Sequence, residues 1–210
     1  NIRQETVAKM KMSYPILHEI NPRLVYTSVS AYGPYGPDSR RGGFDYQGQA
    51  RSGLMFSMGE SDMPPLLVHF AVIDQATAIM ASHAVLSALV MRERLGIGQQ
   101  IHVSILGSAL ALQYFNVMVG LLSNTAFRHK RTNTDPLRNY YQCKGGGWIC
   151  FTLPTLNPGL WKEFCQAIQR PDLENDIKFH SHQRRLEHAE ELIALLDGIF
   201  SPRLSTPLQS

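Results

Sequence analysis

Apolar positions recur at intervals near three and four across residues 75–95, where Ala76, Ile79, Met80, His83, Leu86, Val90 and Met91 share one helical face. This pattern predicts a long helix with that face buried, stopped at Gly96. Ahead of it, Leu66-Leu67-Val68-His69-Phe70-Ala71-Val72-Ile73 is an apolar run that reads as a strand, reached through a polar connection over 57–65. After it, Ile101, Val103 and Ile105 alternate with His102 and Ser104, the period of a strand with one buried face, and 106–122 reads as a second apolar helix. Near the start, Ser13-Tyr14-Pro15 predicts a helix with Ser13 as N-cap, ending at Asn21-Pro22, and residues 24–30 predict a strand. Residues 32–43 hold four glycines and two prolines, a loop composition that allows close backbone approach to a ligand, and 44–53 reads as a short helix. The alternation of helices and strands predicts an α/β fold.

The pattern breaks over 123–139, where Asn, Thr, Arg and Lys displace the hydrophobics, so the chain divides into a larger domain over 1–125, a linker over 126–139 and a smaller α+β domain over 140–210. In the smaller domain, 140–144 and 148–152 flank Gly145-Gly146-Gly147 as a β-hairpin. A phosphate-loop reading of the glycine triplet lacks both the Gly-Lys-Ser/Thr and the helix it needs. Residues 158–169 and 187–200 predict amphipathic helices, the second with Leu192, Ile193, Leu195, Leu196 and Ile199 toward the core.

Composition narrows the classes. The 210 residues are 44% hydrophobic and 18% charged, enough to bury a core. Cys143, Cys150 and Cys165 form no Cys-x-x-Cys and leave one unpaired in any disulfide scheme, which fits reduced thiols and a cytoplasmic setting. No Cys/His ligand spacing predicts a metal site. The most apolar stretch, 76–91, contains Thr77, Ser82, His83 and Ser87 and reads as too short and too polar for a membrane span. A net charge of +3 suits an anionic ligand, while the scattered cations lack the stripe of a nucleic-acid binder.

Asp74 stands where the apolar run meets the long helix. Two readings fit it: a helix cap, since Asp is favoured there, or a nucleophile kept ionised by the helix dipole. The surrounding motifs bear on the choice. Asn21-Pro22-Arg23-Leu24-Val25-Tyr26, Tyr32-Gly33-Pro34-Tyr35-Gly36-Pro37, Gly43-Phe44-Asp45, Gln49-Ala50-Arg51-Ser52-Gly53, Pro64-Pro65-Leu66-Leu67-Val68, Gly96-Ile97-Gly98-Gln99-Gln100 and Asn139-Tyr140-Tyr141-Gln142-Cys143-Lys144 follow in order. Together they resemble the class III coenzyme A transferases of the CaiB/BaiF type, the group of the formyl-CoA and carnitine CoA transferases.

The resemblance implies a partial Rossmann-like large domain with parallel strands and helices, followed by the smaller α+β domain. It implies a CoA transferase in which Asp74 forms an aspartyl-CoA thioester while CoA moves from an acyl-CoA donor to a carboxylic acid acceptor. Asn1, Lys9, Arg41, Gly42, Gly43 and Phe44 fall at the family's CoA contacts. Each also has an ordinary reading, Lys9 as a solvated charge and Phe44 as a core aromatic. The CoA thioester enters as substrate, with no tightly bound cofactor, and the partners are acyl-CoA and organic acids, with neither nucleic acid nor membrane. The family's assembly is an interlocked homodimer.

Because Asn1-Ile2-Arg3-Gln4-Glu5 aligns with a motif inside the family's large domain, the chain is expected to be an internal fragment, and an inactive fragment or binding relic is the alternative to an active enzyme. The racemase branch of the family is disfavoured. Its proton-transferring histidine would fall at Phe44 and its further acid near Asn157, and neither residue carries a titratable group. His69 and Ala78 replace glycines of the transferase pattern, and residues 132–138 hold no glycine-rich lid.

Overall fold

The computed structural model describes residues 2–126, 128–154 and 157–204. Helices α1 (Gln4–Lys9) and α2 (Tyr14–Ile20) lead into strand β1 (Val25–Ser30). Ser13 takes the extended N-cap conformation of α2, a proline sits in its first turn and Asn21 ends it. β1 pairs in parallel with β2 (Gln99–Ser104), Val25 opposite Gln99 and Ser30 opposite Ser104. Parallel strands need a long crossover. Here it carries α3 (Asp45–Arg51), α4 (Leu54–Ser57) and α5 (Val72–Leu95). At the entry to β2, the Gly98 amide donates to the Pro22 carbonyl at 2.7 Å, and a side chain there would run into the Leu24 backbone. After β2 come α6 (Ile105–Leu112) and α7 (Tyr114–Ser123). The architecture is the mixed α/β type that the alternating pattern predicts.

Four elements depart from the sequence reading. The run over 66–71 is not a strand: its backbone bonds go elsewhere, Leu66 to the Met55 carbonyl at 3.0 Å and Val68 to the Gln49 side chain. The chain then turns through Ala71 in a left-handed conformation (φ 51°) and enters α5 at Val72. Ile105 begins α6 instead of extending β2, because the Ser104 hydroxyl accepts the Gly107 amide at 3.0 Å as an N-cap. The predicted helix over 106–122 is two helices bent by 79°. At the break, the buried Gln113 amide donates to the Ser52 hydroxyl at 3.0 Å and the Ala109 carbonyl at 3.2 Å.

The fourth departure is the face of α5. Ala76 is buried, but Ile79, Leu86 and Val90 are 59%, 61% and 52% exposed, and Ile73, Thr77 and Ala88 do the packing instead. Helical spacing identifies a face that gains by being covered; it does not identify the cover. An open groove of about 520 Å³ runs along that face between Val72, Ile79, Met80, His83 and Leu112. With 24 residues, α5 outruns the stretch 76–91 and on length and composition alone could cross a membrane. It packs on β1, β2, α3 and α6, as the core helix of an α/β unit does.

The chain separates into two units, Asn1–His129 and Lys130–Ser210. In the second, β3 (Arg138–Gln142) and β4 (Trp148–Thr152) pair antiparallel. The Cys143 amide donates to the Gly147 carbonyl at 2.7 Å, and Gly145 and Gly146 take φ values of 83° and 82°, so the glycine triplet is a hairpin turn. Helices α8 (Pro158–Ala167), α9 (His182–Glu187) and α10 (Ala189–Phe200) follow. Leu192, Ile193 and Leu196 of α10 are buried with Tyr141, Trp161 and Leu173, while Leu195 and Ile199 pack at the margin. All three cysteines are free. Burial pushes the Cys165 thiol up to about 12, which leaves it unreactive.

Leu196→Ala is expected to destabilise the second unit by about 2–5 kcal/mol, the cost of a cavity at a fully buried leucine. Urea unfolding followed by tryptophan fluorescence, with Trp161 in the same core, measures it.

Candidate active site around Asp74

The first amides of a helix have no intrahelical acceptor and need one from elsewhere. Ala71, the N-cap of α5, has no side-chain oxygen to offer. Asp45 supplies it from α3. Its Oδ2 accepts the Ile73 amide at 2.7 Å and the Asp74 amide at 3.0 Å, with only 4% of the residue exposed. One turn along α3, the fully buried Gln49 donates to Asp45 Oδ1 and to the Val68 carbonyl at 2.8 Å, and accepts the Val68 amide at 3.0 Å. Two side chains on one face of a short helix thus hold the incoming strap at Val68 and the start of α5. Gly48 lets them approach: a Cβ there would collide with Ile105 and lie 3.4 Å from Ile73 Cγ2.

Asp74 is the third residue of α5 and is exposed. Asp45, not Asp74, caps the helix, and among the described residues no hydrogen bond occupies the Asp74 carboxylate. Its pKa lies above the ordinary 3.8, first through partial burial and second through the negative charge of Asp45. The helix dipole acts in the opposite direction and favours the ionised form. A carboxylate of raised basicity donates its electron pair more readily, which suits a nucleophile. The groove on α5 is not its approach: Val72, Ile79 and His83 lie on the opposite side of the helix at 100° per residue.

The loop ahead of α3 delivers four of the expected contacts to the same end of the unit. Arg41 pairs with Asp38 at 3.0 Å, and Asp38 also holds Arg51. A methyl group on Gly42 would stand 3.4 Å from the Arg3 guanidinium, and one on Gly43 would press on Ala31 at 3.0 Å and the Tyr32 hydroxyl at 3.2 Å. Phe44 is 78% exposed, so it is no core aromatic, and its amide donates to Gln47 Oε1 at 2.9 Å. It directly precedes Asp45, so the loop and Asp74 share one anchor. Lys9 ends α1 with its side chain exposed, and no hydrogen bond or ion pair among the described residues ties it to Asp74. Asn1 lies outside the described residues.

His69 is exposed and sets its ring edge-on to Tyr46, centroids 6.4 Å apart. Asn157 caps α8, accepting the Gly159 amide at 3.0 Å. Among the described residues, no group of three or more His, Cys, Asp and Glu is placed to hold a metal. Asp45 and Gln49 are the residues that periodicity and spacing missed. Their signal was present, as a carboxylate and an amide four residues apart on one face of a short predicted helix.

The profile of CoA-transferase family III matches residues 1–208. The chain belongs to CoA-transferase family III. Curated relatives include the succinyl-CoA–D-citramalate CoA-transferase of Chloroflexus aurantiacus, 31% identical over 93% of this chain and 49% of the relative. An acyl-CoA transferase of Fusarium pseudograminearum is 30% identical over 97% of this chain and 44% of its own length. Among solved structures, a CaiB/BaiF family protein from Brucella suis superposes with a TM-score of 0.80 at 25% identity, over 97% of this chain and 54% of that one. The chain spans about half the length of the family III relatives it matches.

Two measurements check this geometry. Gln49→Leu leaves the Val68 amide and carbonyl and one Asp45 oxygen without their partner, and is expected to cost about 1–3 kcal/mol for each group that water cannot reach; urea unfolding reports it. Asp74→Asn tests the raised pKa. A carboxyl whose folded pKa exceeds its unfolded value costs stability as pH rises between the two. The variant is therefore expected to melt higher than the parent at neutral pH, with the gap closing as pH falls toward 3.8 in a series of thermal melts.

Proposed function

We propose that this chain carries the catalytic aspartate of a CoA transferase that moves CoA from an acyl-CoA donor to a carboxylic acid acceptor. The observation that carries the reading is the exposed Asp74 carboxylate, free of hydrogen bonds among the described residues and fixed at a capped helix start in a family III chain. Its oxygen attacks the donor thioester carbon and expels CoA thiolate, leaving a mixed anhydride. The thiolate then attacks the aspartyl carbonyl, the donor leaves as a carboxylate, and an aspartyl-CoA thioester remains. The acceptor carboxylate attacks that thioester, expels the thiolate again and forms a second anhydride. Attack of the thiolate on the acceptor carbonyl gives the new acyl-CoA and restores Asp74.

Each thioester gives way to another of similar energy, so the scheme calls for no ATP and no redox cofactor. It does call for exclusion of water, since both anhydride and thioester hydrolyse. Arg41 and Lys9 offer cations for the CoA phosphates, Gly42, Gly43 and Phe44 an open loop beside α3, and Asn1 joins them by resemblance. The relatives' printed names, an acyl-CoA transferase and a succinyl-CoA–citramalate transferase, support acyl-CoA and organic acids as the substrate class. On this chain the Asp74 carboxylate faces solvent, and α5 and α7 expose Ile79, Leu86, Leu121 and Leu122. Both features favour an assembly that covers them, and the interlocked homodimer is the one we propose.

Incubation of the protein at its full natural length with succinyl-CoA and no acceptor is expected to add CoA covalently, seen by intact mass and mapped to Asp74 by peptide analysis. Asp74→Asn keeps the shape, loses the adduct and lowers kcat by about three orders of magnitude or more. Retained turnover in that variant would contradict the mechanism.

A further inference from the structure

We propose that Asp45 is a positioning residue for the transfer reaction: one of its carboxylate oxygens fixes the backbone that presents Asp74, and its buried charge acts on the Asp74 carboxylate. The inference rests on the reading of Asp74 as nucleophile. It adds a residue that never touches substrate.

The geometry allows Asp45 little freedom. Oδ2 is committed to the Ile73 and Asp74 amides at 2.7 and 3.0 Å, and Oδ1 to Gln49, which is itself locked onto Val68 by two further bonds. Rotation of the carboxylate would break several of these at once. The amide of the nucleophile is therefore pinned to a second element, and the direction in which the Asp74 side chain leaves the helix is fixed relative to the loop 41–44. A helix cap needs only an acceptor. A neutral Ser or Asn would provide one at this site, and the energy of burying a carboxylate there goes beyond capping.

Among the described residues no cationic side chain pairs with that charge. Among the elements packed on α3, α4 and α6 carry no charged residue, and α5 presents only Asp74 nearby. On α3 itself, Arg51 is engaged by Asp38, and on the strap His69 sits against Tyr46. The charge of Asp45 is therefore felt chiefly by Asp74, in the direction that raises its basicity.

The test uses the protein at its full natural length and follows succinyl-CoA labelling of Asp74 and steady-state turnover across pH. Asp45→Asn keeps an acceptor oxygen for the two amides and removes the charge. The expected result is a fall in kcat of about tenfold or more with KM for the CoA thioester little changed, and an acid limb of kcat/KM displaced to lower pH. A rate loss with the acid limb unmoved marks a purely structural role and overturns the proposal. Asp45→Glu retains the charge on a longer arm; it is expected to slow labelling while leaving the acid limb in place, and labelling at the parental rate overturns the proposal even where the Asn variant fails to fold. Should the unmodified protein form no adduct and Asp74→Asn remain active, the nucleophile reading fails together with this one. An adduct on Asp74 that Asp45→Asn leaves unaffected in rate and pH profile removes this inference alone.

Discussion

The buried carboxylate of Asp45, accepting two amides from the start of another helix, is the constraint on which the first unit turns. It closes a crossover that begins at β1 and must bring α5 back over the sheet. Without it, α5 would start at an alanine with no capping group. Because Gln49 locks the same carboxylate to Val68, the path of the chain from Val68 to Asp74 is set by side chains and not by a strand ladder. A polar network replaces regular structure, and it sits beside the exposed Asp74 carboxylate.

The two units solve the problem of burial differently. The second gathers aromatic and aliphatic side chains from both strands, α8 and α10 around Tyr141 and Leu196 and is provided with a core of its own. The first buries mostly small residues, Ala31, Ala76, Ala88 and Ala109, with Ile73 and Val103, and leaves large ones on α5 and α7 uncovered. Close backbone approach at Gly48 and Gly98 matters more in such a unit than bulk does.

Much of this was legible in the sequence wherever the signal was local. Ser13 and Pro15, Gly96, the alternation through Val103 and the glycine turn at 145–146 each specify their own geometry, and the structure follows them. Asp74 too was visible, as a carboxylate where an apolar run meets a helical period. What the sequence hid were choices made at a distance. The run over 66–71 has strand composition, but its hydrogen bonds go to Gln49 and Met55. The bend at Gln113 depends on Ser52, far away in the chain, and the cap of α5 comes from Asp45. The face of α5 that spacing marks as buried is largely exposed, because periodicity carries no information on what covers a face.

Ala71 follows from the same arrangement. A residue with a Cβ pays about 1–2 kcal/mol for a left-handed backbone, and here it does so between two anchors, Val68 and Ile73, that permit no other path. Over evolutionary drift this site should accept glycine or asparagine freely and refuse valine and isoleucine. Its tolerance is thus written by the turn itself.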